Sequence, residues 1–250
     1  MDKALYIAMT GARATLQAQG TVSHNLANAD TAGFKAALAN TEAFAVRGAG
    51  HASRTAAMHI DQGFDTRAGA QQVTGNPLDV SLEANRWLAV QAADGSEAYT
   101  RAGNLSLTPN GQLVTAGGRP LLDQQGNPIA LPPHQALTIG QDGTISIVPL
   151  GEGADTMAEI GRLKVVDAAP ERLARGLDGL MRNVEPQLPL AQAPGAVMTT
   201  GALEQSNVDA AGALVQMIQL QRQFEMQVKV ISRGDENARA ANSLLRLSGG

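Results

Sequence analysis

The chain contains no cysteine in 250 residues. That removes disulfides, thiol nucleophiles and thiolate metal sites together. The lack suits a protein outside the cytoplasm that must not crosslink, although many cytosolic proteins share it. Aromatic residues make up only 3% of the chain, so a large aromatic-packed core is not expected. A net charge of −4 offers no basic stripe for nucleic acid. No run of eighteen apolar residues appears, so no membrane-spanning helix is expected. The opening Met1-Asp2-Lys3-Ala4 leads into an amphipathic segment without a cleavage-type apolar run, so no cleaved signal peptide is expected either.

Signatures of enzymes are equally scarce. His24, His51, His59 and His134 are scattered, and no His-Glu-x-x-His pair exists for zinc. His51 and His59 share a glycine-rich segment and read as exposed loop residues. There is no Gly-x-Ser-x-Gly elbow and no phosphate loop. Gly151-Glu152-Gly153 lacks the third glycine of a dinucleotide fingerprint. Asp94-Gly95 and Asp142-x-Thr144 lack the other oxygen ligands of a calcium loop. No catalytic, metal or cofactor-binding residue is assigned, and neither a small-molecule substrate nor a nucleic acid is expected.

What the chain does have lies at its two ends. Leu5, Met9, Ala12, Leu16, Gln19, Ser23 and Leu26 recur at alternating steps of four and three, one seam of a helix. The same stepping runs from Leu214 through Met217, Gln221, Phe224, Val228, Ile231, Asp235, Ala238 and Asn242 to Leu245. Between Asn207 and Leu247 there is no proline, so a helix of about forty residues, roughly 60 Å long, is expected. Ser206 or Asn207 would cap its start, and Gly249-Gly250 closes the chain where it would fray. Asn25 and Asn28 share one helical face, as interface amides or as plain capping residues. Gly33 would end the first helix, with Phe34 docking beside it. Polar layers in such seams select register more than they add stability.

Between the ends the grammar changes. Residues 36–74, interrupted by Gly48, Gly50, Gly63 and Gly69, read as an extended arm with short strands. After Gly75-Asn76-Pro77, apolar and polar residues alternate through Leu78, Val80 and Leu82. Trp87-Leu88-Ala89-Val90 reads as a strand, and Tyr99-Thr100-Arg101 as its return, carrying a surface arginine. Turns at Asp94-Gly95, Asn110-Gly111, Asp123 to Asn127 and Asp142-Gly143 punctuate further strands, so residues 75–177 read as an all-β domain. Pro186, Pro189 and Pro194 mark residues 178–202 as a return linker. The expected fold is α+β: an all-β domain inserted between an N-terminal helix (1–35) and a C-terminal helix (203–250) that pair as a coiled-coil-like helical domain.

Taken in order, several of these segments resemble the flagellar basal-body rod and hook family. They are Asn25-Leu26-Ala27-Asn28 with Gly33-Phe34-Lys35, Gly75-Asn76-Pro77-Leu78-Asp79-Val80, Tyr99-Thr100-Arg101-Ala102-Gly103-Asn104, Leu203-Glu204-Gln205-Ser206-Asn207-Val208 and Gln221-Arg222-Gln223-Phe224-Glu225. The Trp87-Leu88 pair is similar to the proximal rod branch. Ala213, Leu177 and His24 depart from it, the first two standing where acidic residues are common and the third where asparagine or a small polar residue is.

The resemblance implies a structural subunit of the proximal rod, built into a tubular drive shaft that transmits torque for motility. A distal rod or hook subunit is the alternative within the family. Outside it stands a non-flagellar β-domain protein with helical oligomerisation arms. The implied partners are other copies of the chain, other rod proteins and, during secretion, the flagellar export apparatus. The implied location is the basal body, spanning the periplasm. The implied assembly interface is Leu5, Met9, Leu16, Asn25, Leu26, Asn28 and Phe34 at one end. At the other it is Leu203, Asn207, Val208, Leu214, Met217, Ile218, Gln221, Arg222, Phe224, Val228, Ile231 and Leu245.

Overall fold

The computed structural model describes residues 2–45, 55–151, 153 and 156–247, with side chains other than those at 2–4, 61, 238, 241, 242 and 244–247. His51 and Gly249-Gly250 lie outside the described residues, as does the side chain of Leu245. The chain divides into two compact units. One comprises Met1–Ala27, Ala37–Gln62 and Asp209–Gly250, the other Asn28–Ala36 and Gly63–Val208. An all-β region therefore lies in sequence between two terminal helices.

The first unit is built on α1 (Asp2–Ala27) and α2 (Ala210–Leu247), which pack against one another. It also holds β1 (Ala37–Ala45), paired with β2 (Thr55–Phe64) in a two-stranded sheet. The segment read as an arm with short strands thus carries strands of nine and ten residues. Asp209 caps α2, its Oδ1 accepting from Ala211 N at 3.1 Å, in place of Ser206 or Asn207.

The seam between the helices differs from the expected one at every second layer. At seam spacing the enclosed positions of α1 are Leu5, Ala8, Ala12, Thr15, Gln19, Val22 and Leu26, whereas Met9, Leu16 and Ser23 are exposed. Those of α2 are Ala213, Met217, Leu220, Phe224, Gln227, Ile231 and Gly234, whereas Leu214, Gln221, Val228 and Asp235 are exposed. Small residues explain the choice, because interaxial distance follows the side chains at the contact. A Cβ at Gly11 would stand 3.0 Å from Gln227 Nε2, and one at Gly234 3.0 Å from Leu5 Cδ2. A larger side chain at Gly11 or Gly234 would push the helices apart there.

The second unit contains fifteen short strands among the described residues. In chain order they are β3 (Gln71–Val73), β4 (Val80–Leu82), β5 (Arg86–Gln91), β6 (Glu97–Thr100), β7 (Leu105–Leu107), β8 (Leu113–Thr115) and β9 (His134–Ile139). There follow β10 (Thr144–Pro149), β11 (Ala158–Arg162), β12 (Val165–Asp167), β13 (Leu173–Arg175), β14 (Met181–Asn183), β15 (Ala191–Gln192), β16 (Met198–Thr200) and β17 (Ala202–Glu204). The main sheet has the order β13-β14-β6-β5-β12-β15. Residues 178–202, read as a return linker, supply three of the strands, and β16 closes on β4.

Strand β5 shows why its apolar run is unbroken. Leu88 and Val90 enter one core with Leu113, Leu121, Ile145 and Val197. Trp87 and Ala89, on the alternate face, enter a second core with Phe64, Tyr99, Val166 and Met181. A strand covered on both faces needs apolar residues at every position. Phe64 meets Trp87 edge to face, with ring centroids 5.5 Å apart.

Candidate functional site: three motifs meet at a buried ion cluster

Three of the segments singled out in the sequence come together inside the second unit. Lys35 follows the Gly33-Phe34 step, Arg101 ends the Tyr-Thr-Arg run, and Glu204 ends β17. All three side chains are about 95% buried or more. Lys35 Nζ donates to Glu204 Oε1 at 2.7 Å, and Arg101 Nη2 and Nε donate to Glu204 Oε2 at 2.5 and 2.8 Å. Gly69 N–H adds a further bond to Oε1 at 3.0 Å. The remaining guanidinium hydrogens go to the carbonyls of Leu82, Glu83 and Arg86, and Lys35 Nζ also reaches Arg67 O at 2.7 Å. Arg101 lies 5.7 Å from the centre of the Trp87 ring. The reading of Arg101 as a surface arginine is therefore corrected: it is a buried tie across the β-unit.

The electrostatics are those of a closed cluster. Burial pushes the Glu204 carboxyl up, but the Arg101 charge, the Lys35 bond and Gly69 N–H outweigh it and hold the group below its ordinary value. Burial lowers the Lys35 ammonium, and the Glu204 bond offsets only part of that. Two cations face one carboxylate, and Asp65 supplies further negative charge towards Lys35. Asp65 is itself held low by its bonds to Arg67. Removing one partner from such a cluster leaves an uncompensated buried charge, at a cost of about 3–5 kcal/mol.

Backbone bonds tie the same segments together. Gly33 N–H donates to Glu204 O at 2.7 Å. Asn207 Oδ1 accepts from Ala36 N at 2.7 Å, while its Nδ2 donates to Asp65 O and Arg67 O. Gly33 adopts φ +68°, and a Cβ there would lie 2.1 Å from Arg101 O. This glycine does not end α1, which stops at Ala27. It permits the close pass of residues 28–36 over Arg101. Lys35 and Glu204 drew no role from sequence because nothing in spacing links positions 169 apart.

The other residues proposed from sequence fall into distinct places. Asn25 is half-buried, and its amide forks onto Ala37, donating to O at 2.9 Å and accepting from N at 2.8 Å. Asn28 sits in the turn after α1, where Thr31 N donates to its carbonyl. Phe34 lies under the Arg175 guanidinium, 4.6 Å from ring centre to Cζ. Leu203 pairs with Gln72 in the β17–β3 ladder, and Val208 N donates to Ser206 Oγ at 3.3 Å. Leu5, Leu26, Met217, Phe224 and Ile231 are half-buried, whereas Met9, Leu16, Leu214, Ile218, Gln221, Arg222 and Val228 are exposed. His59, half-buried in β2, meets no acid or histidine cluster among the described residues.

The ion cluster is closed to solvent and fastens distant segments of the β-unit, and the terminal helices carry outward apolar side chains; both features suit a structural protein. Comparison with known proteins gives the class a family. Residues 5–35 match the family described as "Flagella basal body rod protein". Residues 81–147 match "Flagellar hook protein FlgE/F/G D1 domain" and residues 199–244 match "Flagellar basal body rod FlgEFG protein C-terminal". The chain is 46% identical to the flagellar basal-body rod protein FlgF of Escherichia coli, over 99% of this chain and 100% of that one. It is 44% identical to FlgF of Salmonella typhimurium over the same shares. With the rod protein FlgG of Buchnera aphidicola from Acyrthosiphon pisum it shares 30% identity over 94% of this chain and 97% of that one. The chain belongs to the flagellar basal-body rod protein family.

Proposed function

We propose that this chain is a structural subunit of the flagellar basal-body rod that polymerises through its terminal helices. One observation carries the reading. The two helices close on each other through layers that mix large apolar residues with alanine, glycine, threonine and glutamine, while a second set of large apolar side chains faces outward. Tyr6, Met9 and Leu16 on α1 are at least half exposed, as are Leu214, Val215, Ile218, Met226 and Val230 on α2. Outward apolar side chains on both helices favour an interaction surface. At about 25 cal/mol per Å² of apolar area, much of the hydrophobic gain is deferred until neighbours cover it.

Deferral couples ordering to assembly. A free subunit, whose helix pair is closed in part by small and polar layers, leaves part of the gain to contacts made at a growing tip. The partners are further copies and other rod proteins, in heterologous contacts that suit a helical array. The Trp87-Leu88 pair and the higher identity to FlgF than to FlgG favour the proximal rod over the distal rod or hook. In that place the subunit crosses the periplasm, passes torque from motor to hook, and is exported by the flagellar apparatus.

The test is deletion of the gene, followed by swimming assays and electron microscopy of isolated basal bodies. The expected result is loss of swimming, with structures that stop at the inner rings and are restored by the intact gene. Complete rods and normal swimming in the deletion strain would overturn the reading.

A further inference from the structure

Residues 28–36 follow α1 directly in sequence, yet they group with the β-unit and not with the helix. They form neither helix nor strand. Within the segment lie two backbone turn contacts, Thr31 N to Asn28 O and Phe34 N to Thr31 O, each 3.2 Å long. The firmer hold comes from far along the chain. Gly33 N–H donates to Glu204 O at 2.7 Å, and Lys35 Nζ to Glu204 Oε1 at 2.7 Å. The Arg175 guanidinium donates to Lys35 O and lies over the Phe34 ring.

Asn207 closes the arrangement. Its N–H donates to Phe34 O at 3.3 Å, and its Oδ1 accepts from Ala36 N at 2.7 Å. Its Nδ2 donates to Asp65 O and Arg67 O, at 3.1 and 2.9 Å, while Asp65 N donates to Ala36 O at 2.8 Å. One residue therefore ties three passes of the chain: just before β1, just after β2 and just before α2. The helix itself is held elsewhere. Asn25 forks onto Ala37, and α1 packs on α2 and β1, all inside the first unit. Proteins open in cooperative units whose limits follow such contacts and not the order of the chain.

We propose that residues 28–36 are a strap of the β-unit, clipped by Asn207, at which any opening of the helical unit stops. The strap stays closed over the ion cluster when α1 and α2 loosen, so Glu204 keeps both of its cations and remains sealed from water. Loosening of the helices then costs the β-unit none of its own contacts. This is a property of the single subunit and does not depend on its place in a rod.

Hydrogen exchange of the purified full-length chain tests the strap, read by mass spectrometry on peptic peptides at increasing urea. In the wild type, peptides within 28–36 should lose protection together with β5 and β6, after those of α1 and α2. Exchange of 28–36 in step with α1, or of the whole chain as one unit, would overturn the strap without need of any variant. Asn207→Ala then tests the clip. Exchange in 28–36 should quicken by about tenfold or more, because bonds to backbone groups are lost, while β5 and β6 keep their wild-type rates. Unchanged rates in 28–36 of that variant would remove Asn207 from the account.

Discussion

Glu204 and Lys35 stand 169 positions apart in sequence and 2.7 Å apart in space, both shut away from solvent. Arg101 completes the cluster from the middle of the chain. The Glu204 carboxylate thus fastens both the segment that follows α1 in sequence and Arg101 to the strand that leads towards α2.

Breaking this cluster one member at a time should therefore be costly. Glu204→Gln preserves shape but leaves two buried cations without their carboxylate, and should destabilise the second unit by about 3–5 kcal/mol. Lys35→Met combined with Glu204→Gln should recover part of that loss, because fewer charges are then stranded. Urea unfolding followed by the fluorescence of Trp87, the only tryptophan, reads the effect beside the cluster. Equal midpoints for wild type and Glu204→Gln would remove the cluster from the account of stability.

Acid should reproduce the same loss in the unmodified protein. The folded Glu204 carboxyl titrates below its ordinary value of 4.5, so below that pH the unfolded chain takes up the proton first. Its contribution is complete above about pH 4.5 and falls away as pH drops through the folded value. Lys35 has the opposite linkage: its lowered value means that the folded chain releases the proton first as pH climbs towards 10.5, which adds stability in alkali. The acid limb therefore belongs to Glu204 among these two. Urea midpoints measured from pH 7 to pH 3 should fall more steeply for wild type than for Glu204→Gln, and parallel curves would contradict the assignment.

Glycines at two places should respond in opposite directions. Gly33 holds a left-handed φ beneath the Arg101 carbonyl, where a Cβ has no room, so Gly33→Ala should cost at least ~1–3 kcal/mol. Gly20 lies on the exposed side of α1 with nothing within 4 Å of an added Cβ. Gly20→Ala should stabilise the helix by roughly 0.5–1 kcal/mol. Thermal melts followed by circular dichroism would settle both signs, and a neutral Gly33→Ala would mean that the pass over Arg101 is not tight.

Much of the fold was legible in the sequence, since each kind of signal acts locally. Asp94-Gly95 and Asp142-Gly143 set hairpins whose glycines do take positive φ. Period-2 alternation marks strands, and the proline-free stretch after Asn207 marks a helix. The cluster was hidden because its three members reside in unrelated local contexts, and a charged residue in a strand usually faces water. Arg101 was misread for that reason. The seam failed for a different one: apolar periodicity identifies a stripe but not its partner. Met9, Leu16, Leu214 and Val228 keep helical spacing with their neighbours yet point outward, while Ala8, Thr15, Ala213 and Gln227 occupy the intramolecular layers.

That division yields the sharpest test of how the helices are used. Phe224 lies in the enclosed seam of α2 and Leu214 on its outer face, half exposed. An unpaired carboxylate in that half-buried seam is unfavourable, so Phe224→Asp should loosen the α1–α2 pair and reduce helical ellipticity in the isolated subunit. Leu214→Asp meets solvent in the free chain and should leave ellipticity and the thermal midpoint within ~0.5 kcal/mol of wild type. Both variants should abolish rod assembly, the first by spoiling the subunit and the second by spoiling only its contact with neighbours. Circular dichroism of the purified variants, set beside electron microscopy of basal bodies, separates the two effects. If Leu214→Asp is folded and still builds complete rods, the outward apolar row is not the assembly surface.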